Sequence, residues 1–455
     1  MTRAFTPHPY QKLLIDFGLD VPRSAWFAGM GVGKTVSSLT LLDALILTGE
    51  SNPILVLGPK RVAGETWPDE ARKWRHLQHL HITPVVGTER QRRAALATPG
   101  QVYTTNYEQL PWLVDLFASR PWPFRTIIAD ESTRLKGFRT QQGGHRANAL
   151  SKVARCTDRW VNLTGTPAPN GLKDLWGQYW FLDFGARLGT SYTAFLERWF
   201  RTGYNGVCEP YPHAEREIYE RIRDITISIR AEDWFTLDEP IERPLYVTLP
   251  PTARRAYAQL ERDMYTQLAC GTTVEAFNAA AQTNKCRQLA NGAVYTNAPE
   301  WRAVHDAKLD ALDSIVNEAN GAPILVAYDF ISDKARILSR YKSAVDIATP
   351  EGMRAFRDGA AQLGVAHPKS MGHGIDGLQD VTNILVYFGH NWDLELRQQI
   401  LERIGPMRQK QSGHNRPVWV YPIIAQGTID EVVIERHRTK RSVQDLLLEA
   451  MRNSQ

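Results

Sequence analysis

Seven consecutive residues, Gly29-Met30-Gly31-Val32-Gly33-Lys34-Thr35, have the types and spacing needed to hold a phosphate chain. Three alternating glycines let the backbone curl so that successive N–H groups point inward, and the helix expected from Val36 to Leu47 adds its positive end. Lys34 can then reach the outer phosphates, and the Thr35 hydroxyl can ligate Mg²⁺. Taken alone, the stretch can also be a glycine-rich turn that matches by chance. A second stretch supplies what the first lacks: the apolar run Thr126-Ile127-Ile128-Ala129 ends in Asp130-Glu131. Opposite a phosphate loop, Asp130 can hold the metal through water while Glu131 orients and deprotonates an attacking water. Neighbours on a strand face opposite ways, but the chain turns at a strand end, and there both carboxylates can serve one site.

Other residues sit where they could join this chemistry, each with a plainer explanation beside it. Gln11, at the start of an amphipathic stretch running to Phe17, can read an adenine edge with its donor and acceptor, or be an exposed helix-start glutamine. Pro53-Ile54-Leu55-Val56-Leu57 reads as a buried parallel strand. It opens into Gly58-Pro59-Lys60-Arg61, where Lys60 and Arg61 meet a nucleic-acid backbone or simply line a solvated loop. A further strand, Gln101-Val102-Tyr103-Thr104, leads to Asn106. The strand Arg159–Leu163 runs into Thr164-Gly165-Thr166-Pro167, a tight turn whose hydroxyls can sense the γ-phosphate or do no more than turn the chain.

The elements that must position these residues belong to a chain of 455 residues, long enough for two or three domains. Apolar residues make up 43% and charged residues 23%, an ordinary globular balance, and no apolar run reaches membrane-spanning length. The first residues lack a signal-peptide pattern, so a cytoplasmic protein is expected. Four unpaired cysteines argue against a zinc site or disulfide framework. The net charge of +5 permits a polyanionic partner without requiring one.

Past Leu172 the sequence is dense in aromatics, among them Trp176, Trp180, Phe181, Phe195 and Trp199, suited to helix packing or to base stacking. Ile241 to Pro250 reads as an extended connector. Helical stretches follow over Thr252–Leu268, Val274–Leu289 and Lys308–Asn317. The buried-strand runs Pro323–Ala327, Leu363–Ala366 and Ile384–Phe388 then predict a second parallel sheet, one without a phosphate loop. A last helix is expected from Gly427 to Met451. Its basic run Arg436–Arg441 could track DNA phosphates or form a solvated face.

In this order, the phosphate loop, Asp130-Glu131-Ser132-Thr133 and Leu163-Thr164-Gly165-Thr166-Pro167 resemble the first lobe of superfamily-two helicases. More narrowly, Pro9-Tyr10-Gln11, Gly31-Val32-Gly33-Lys34-Thr35 and Asp130-Glu131-Ser132 resemble the Swi/Snf branch. Thr133 stands where many members carry histidine, and that histidine's role does not carry over. In the second half, Ser370-Met371-Gly372-His373-Gly374 resembles the fifth motif, and Gln399 to Gln409 resembles the sixth. Gln399 and Arg403 fit that sixth pattern, but Pro406 occupies the position of its second arginine, and Arg408 is the nearest substitute. The compact form looks like versions encoded by bacteriophages and prophages.

The resemblance implies an α/β fold of two tandem RecA-like lobes, each a parallel sheet flanked by helices, with helical insertions between them. Residues 1–240 would form the first lobe with a protrusion over about 172–230. Residues 241–455 would form the second, with a helical segment over about 252–290. It implies an ATP-dependent DNA translocase or helicase using ATP and Mg²⁺. Gln11 and residues 29–35 would bind nucleotide, and Thr35 and Asp130 the metal. Glu131, Lys34, Arg403 and Arg408 would serve catalysis, and Thr164, Thr166 and Gln399 coupling. Lys60, Arg61, Thr104, Asn106, Ser370 and Gly372 would grip double-stranded or branched DNA. Replication or recombination proteins are candidate partners, in the host cytoplasm if the chain is virus-encoded. The rival expectations are a strand-separating helicase on forks, single strands or RNA, and an ATP-gated clamp with little hydrolysis.

Overall fold

The computed structural model describes residues 2–29, 31–50, 53–140, 144–202, 208–230, 234, 237–268, 283–297, 300–371 and 377–452, and for 262–268, 297 and 441–452 it describes the backbone alone. Met30 and Gly372, both expected at the site, lie outside the described residues, as does part of the helix expected from Val274. The chain divides into two units, Met1–Thr236 with Lys440–Gln455, and Leu237–Thr439.

The first unit is built on β1 (Arg23–Ala28), β2 (Ile54–Gly58), β3 (Ile82–Pro84), β4 (Val102–Asn106), β5 (Thr126–Asp130) and β6 (Arg159–Thr164). A hairpin, β7 (Phe200–Thr202) with β8 (Cys208–Pro210), stands apart from them, and β9 (Thr226–Ile229) completes the sheet. The seven sheet strands are all parallel, in the order β3-β4-β2-β5-β6-β1-β9. β2, β4, β5 and β6 are buried along their whole length, as inner strands are when helices cover both faces. β6 lies between β1 and β5, pairing Thr164 with Phe27 and Leu163 with Asp130. The carboxyl ends of three strands therefore come level at one edge.

The aromatic segment resolves in favour of packing. Trp176, Phe181, Phe195 and Trp199 are buried, and Phe138 lies 4.5 Å, centroid to centroid, from Trp180 and 5.0 Å from Phe181. The protrusion expected over 172–230 is helical at Lys173–Asp183, Tyr192–Trp199 and Ala214–Ile222, but Thr226–Ile229 returns as β9 beside β1. Its sequence, Thr226-Ile227-Ser228-Ile229, lacks the unbroken apolar run that marks a strand buried on both faces.

The second unit carries β10 (Ile241–Glu242), β11 (Leu245–Val247), a hairpin of β12 (Ala293–Asn297) and β13 (Glu300–Ala303), then β14 (Ile324–Ala327), β15 (Ala344–Asp346), β16 (Leu363–Ala366), β17 (Ile384–Tyr387) and β18 (Trp419–Ala425). Its parallel sheet runs β10-β18-β17-β14-β16-β15, with β11 also on β18. The expected connector is thus part of a sheet: Ile241 pairs with Trp419 and Leu245 with Ile423, and Pro244, which has no N–H to donate, falls in the gap between the two short strands. Each unit is thus an α/β layer, a parallel sheet with helices between its strands.

Lys308, on the helix Ala307–Glu318, is fully buried. Its ammonium lies 2.6 Å from Asp430 and donates to Asn291 Oδ1 at 2.7 Å and to the Phe388 carbonyl at 3.1 Å. Thr428 caps the last helix, accepting from the Asp430 N–H at 3.3 Å, but the acidic first-turn residue Asp430 faces this core cation instead of solvent. His390, buried beside the same group, bonds the Ile423 carbonyl through Nε2 at 2.8 Å. Burial lowers its imidazole to about 3; Asp430 opposes that shift, while Lys308 and Arg397 add to it.

Lys308→Met should cost about 3–5 kcal/mol, because it leaves the Asp430 carboxylate buried without its cation; urea unfolding of the full chain measures this. For His390 the neutral ring is the folded form, so the unfolded chain takes the proton first, and stability falls as pH drops from 6.5 toward 3. The slope from this group alone is about 1.4 kcal/mol per pH unit. Burial pushes Asp333 up to about 6, and that carboxyl offsets part of the loss below its own value. His390→Gln should give a shallower acid limb in thermal melts between pH 7 and 5.

Candidate nucleotide site

The phosphate loop leaves β1 at Ala28 and passes into the helix Lys34–Leu47. Gly31 and Gly33 both take φ of +83°, a region that costs side-chain-bearing residues and lets backbone N–H groups converge. A methyl group added at Gly33 would overlap the carboxamide of Gln11. Gln11 is buried: its Oε1 accepts the His8 N–H at 2.9 Å and its Nε2 donates to the Val32 carbonyl at 3.2 Å. It braces the loop from the helix Pro9–Asp20, which removes the exposed helix-start alternative. Lys34 Nζ donates to the carbonyls of Ala28, at 2.5 Å, and Gly29, at 3.0 Å, holding the ammonium over the start of the loop.

At the end of β5, Asp130 is almost fully buried and held on three sides. The Trp67 indole N–H donates to its Oδ2 at 3.0 Å, and the Glu131 N–H to its Oδ1 at 3.1 Å. The Tyr107 hydroxyl donates to its carbonyl at 2.9 Å. Burial, with the Asp130 charge second, pushes the Tyr107 phenol well above its ordinary range and keeps it a donor. Glu131 adopts φ +56°, left-handed for a residue with a full side chain. That turn releases Glu131 from strand alternation, as two carboxylates serving one site require.

The third loop follows β6. Thr164, fully buried, accepts the Thr166 N–H on its hydroxyl at 3.0 Å, a side-chain-closed turn. A methyl group at Gly165 would stand 3.3 Å from the Ala28 carbonyl and 3.4 Å from Gly29 Cα, so this turn packs against the start of the phosphate loop. One end of one sheet thus brings together Gln11, residues 29 and 31–35, Asp130, Glu131, Thr164 and Thr166.

The residues expected at DNA divide. Lys60 and Arg61 are exposed, and Arg61 pairs with Glu65 at 3.1 Å. Thr104 and Asn106 turn inward. The Thr104 hydroxyl donates to the Ala63 carbonyl at 2.5 Å, and Asn106 Nδ2 donates to Glu108 at 2.7 Å. Both side chains are buried, Thr104 within β4 and Asn106 at its carboxyl end. Ser370 is exposed, its hydroxyl on the His367 carbonyl at 2.7 Å. In the second unit, Gln399 donates to Glu395 at 3.1 Å, and the buried Arg403 donates through Nε to the Met371 carbonyl at 2.9 Å, tying the sixth-motif helix to the fifth-motif stretch. Pro406 opens the helix Pro406–Gln411, and Arg408 is half-buried on it.

Trp67, Tyr107 and Gln178 were not legible as site residues. Trp67 follows a single π-helical turn, Val62–Thr66, a local irregularity that recurs near functional sites and has no reliable sequence signal.

Comparison with known proteins places the chain among matching sequences. A family model described as the SNF2-related domain matches residues 27–288. Protein p41 of Acyrthosiphon pisum secondary endosymbiont phage 1 is 51% identical over 460 residues, covering 99% of both chains. The mouse SWI/SNF-related matrix-associated actin-dependent regulator of chromatin subfamily A member 1 is 23% identical over 467 residues, covering 92% of this chain. This chain spans 41% of that relative's length. The Sulfolobus solfataricus SWI2/SNF2 ATPase core, solved in complex with dsDNA, matches at a TM-score of 0.45 and 20% identity, covering 98% of this chain and 93% of that one.

Gly33→Ala should weaken binding of a fluorescent ATP analogue by at least about tenfold, since the left-handed backbone and the Gln11 carboxamide both oppose a side chain there. Circular dichroism checks that the rest of the fold survives.

Proposed function

We propose that this chain, which belongs to the SNF2-related family of nucleic-acid-dependent ATPases, is a translocase that turns ATP hydrolysis into movement along double-stranded or branched DNA. The observation that carries the reading is the convergence of the phosphate loop, Asp130-Glu131 and the Thr164–Thr166 turn at one end of the first sheet.

The triphosphate would lie on the N–H groups of residues 29–35 at the helix N-terminus, with Lys34 leaving the Ala28 and Gly29 carbonyls for the outer phosphates. Thr35 and Asp130 offer a hydroxyl and a carboxylate, hard oxygen donors of the kind Mg²⁺ takes. Bound Mg²⁺ would neutralise charge on the β- and γ-phosphates. Glu131 would orient the attacking water and accept its proton, and Gln11 would read the adenine edge. Arg403, with Arg408 in place of an arginine at position 406, would stabilise charge developing on the γ-phosphate. Lys60, Arg61 and Ser370 would meet phosphates of the DNA, so little sequence preference and strong salt dependence are expected.

Steady-state ATP turnover with and without duplex DNA tests the reading. Duplex should stimulate turnover. Glu131→Gln should lower it by about a hundredfold or more while ATP still binds, and Lys34→Ala should lose both. Turnover indifferent to every DNA and RNA offered would reject the motor. Displacement of a triplex strand without unwinding of a fork distinguishes the translocase from a strand-separating helicase. ATP-switched DNA binding with negligible turnover is the outcome a clamp would give.

A further inference from the structure

We infer that Gln178 is a positioning residue that couples the Asp130-Glu131 strand end to the Thr164–Pro167 turn; the inference rests on the function proposed above. Gln178 lies on the helix Lys173–Asp183 and is 2% exposed. Its Nε2 donates to the Pro167 carbonyl at 2.7 Å and to the Asp174 carbonyl at 2.9 Å. Two carbonyls can only accept, so the amide nitrogen must face them and the amide oxygen must face Ser132. Ser132, fully buried and next to Glu131 in the chain, donates its hydroxyl to that oxygen at 2.9 Å. The backbone carbonyl of Gln178 is fixed as well, accepting from Asn162 Nδ2 at 2.9 Å.

The helix can come this close because its neighbouring residue is Gly177. A methyl group there would stand 2.5 Å from the Leu135 carbonyl and 3.0 Å from the Lys136 carbonyl, on the turn that continues from Ser132. The helix backbone therefore presses on the Ser132–Leu135 turn and delivers a planar, rigid carboxamide between two catalytic loops. Glu131 sits in the left-handed region immediately before Ser132. Any relaxation of that backbone when the γ-phosphate is lost must move the serine hydroxyl. Because the amide is rigid and every one of its polar atoms is engaged, the displacement passes to Pro167 and so to the Thr164–Thr166 turn. Gln178 touches no reacting atom; it acts through the two loops.

Ser132→Ala removes one bond of this bridge, changes almost no volume, and leaves Gln178 on Pro167 and Asp174. Nucleotide affinity and DNA-independent turnover should match the wild type, while DNA-stimulated turnover falls by about tenfold. Gln178→Leu should lower stimulation similarly, and the double variant should fall no further than the more affected single one, as expected of two residues acting through one bond. Stimulation per folded molecule equal to wild type in Ser132→Ala, with folding read from thermal melts, overturns the inference. So does a loss of nucleotide affinity with the stimulation ratio preserved, the mark of a purely structural role. A wild-type protein that DNA does not stimulate defeats the proposed function itself, and the inference with it.

Discussion

The site depends on parallel register in three neighbouring strands. With β6 between β1 and β5, and Thr164 level with Phe27 and Leu163 level with Asp130, the loops that leave these strands must emerge side by side. A slip of one residue in β6 would turn its side chains to the opposite face and carry Thr164 away from its neighbours. Main-chain hydrogen bonds set the coarse alignment. Side chains refine it: Gln11 braces the phosphate loop, Trp67 and Tyr107 grip Asp130, and Gln178 joins the turn that follows Glu131 to the one that follows β6. Each of these braces is buried, where a hydrogen bond is strong and its loss is costly.

The second unit repeats the parallel architecture with a different centre. It pairs Lys308 with Asp430 in its interior and surrounds them with Asn291 and His390. A buried ion pair of this kind adds little net stability over an apolar one, yet removing either member is destabilising, so it specifies which segments must meet. The helix 283–291, the helix Ala307–Glu318 and the start of the last helix are joined in this way.

Much of this could be read in the sequence, for a physical reason. Strands buried on both faces appear as unbroken apolar runs, so β2, β5, β14, β16 and β17 announce themselves, and the loops that follow them are then the places to look for chemistry. β9 stays hidden because Thr226 and Ser228 break its apolar run, and β10 and β11 because two or three residues give no run or period to detect. Lys308 gives no signal of its burial, because the carboxylate that pairs with it, Asp430, lies far along the chain. Thr104 and Asn106 look like loop-tip contacts, but the ladder with β2 extends as far as Asn106 and draws both inside. Gln178 is invisible for the opposite reason: among aromatic neighbours it reads as an outward polar position, while its significance comes from Ser132 and Pro167, each from a different loop.

The placement of β18 also bears on how the chain matures while it is being made. All the strands of the first sheet have been synthesised once Ile229 emerges, so that sheet can close early. β10 and β11 emerge soon afterwards but have no strand to lie against until Trp419–Ala425 appears, and Lys308 waits as long for Asp430. Domains generally fold as units from the N-terminal end. A ribosome paused between Leu245 and Trp419 would therefore display a complete first sheet trailing an incomplete second one, with the last segment of the first unit, from Lys440 on, still to come.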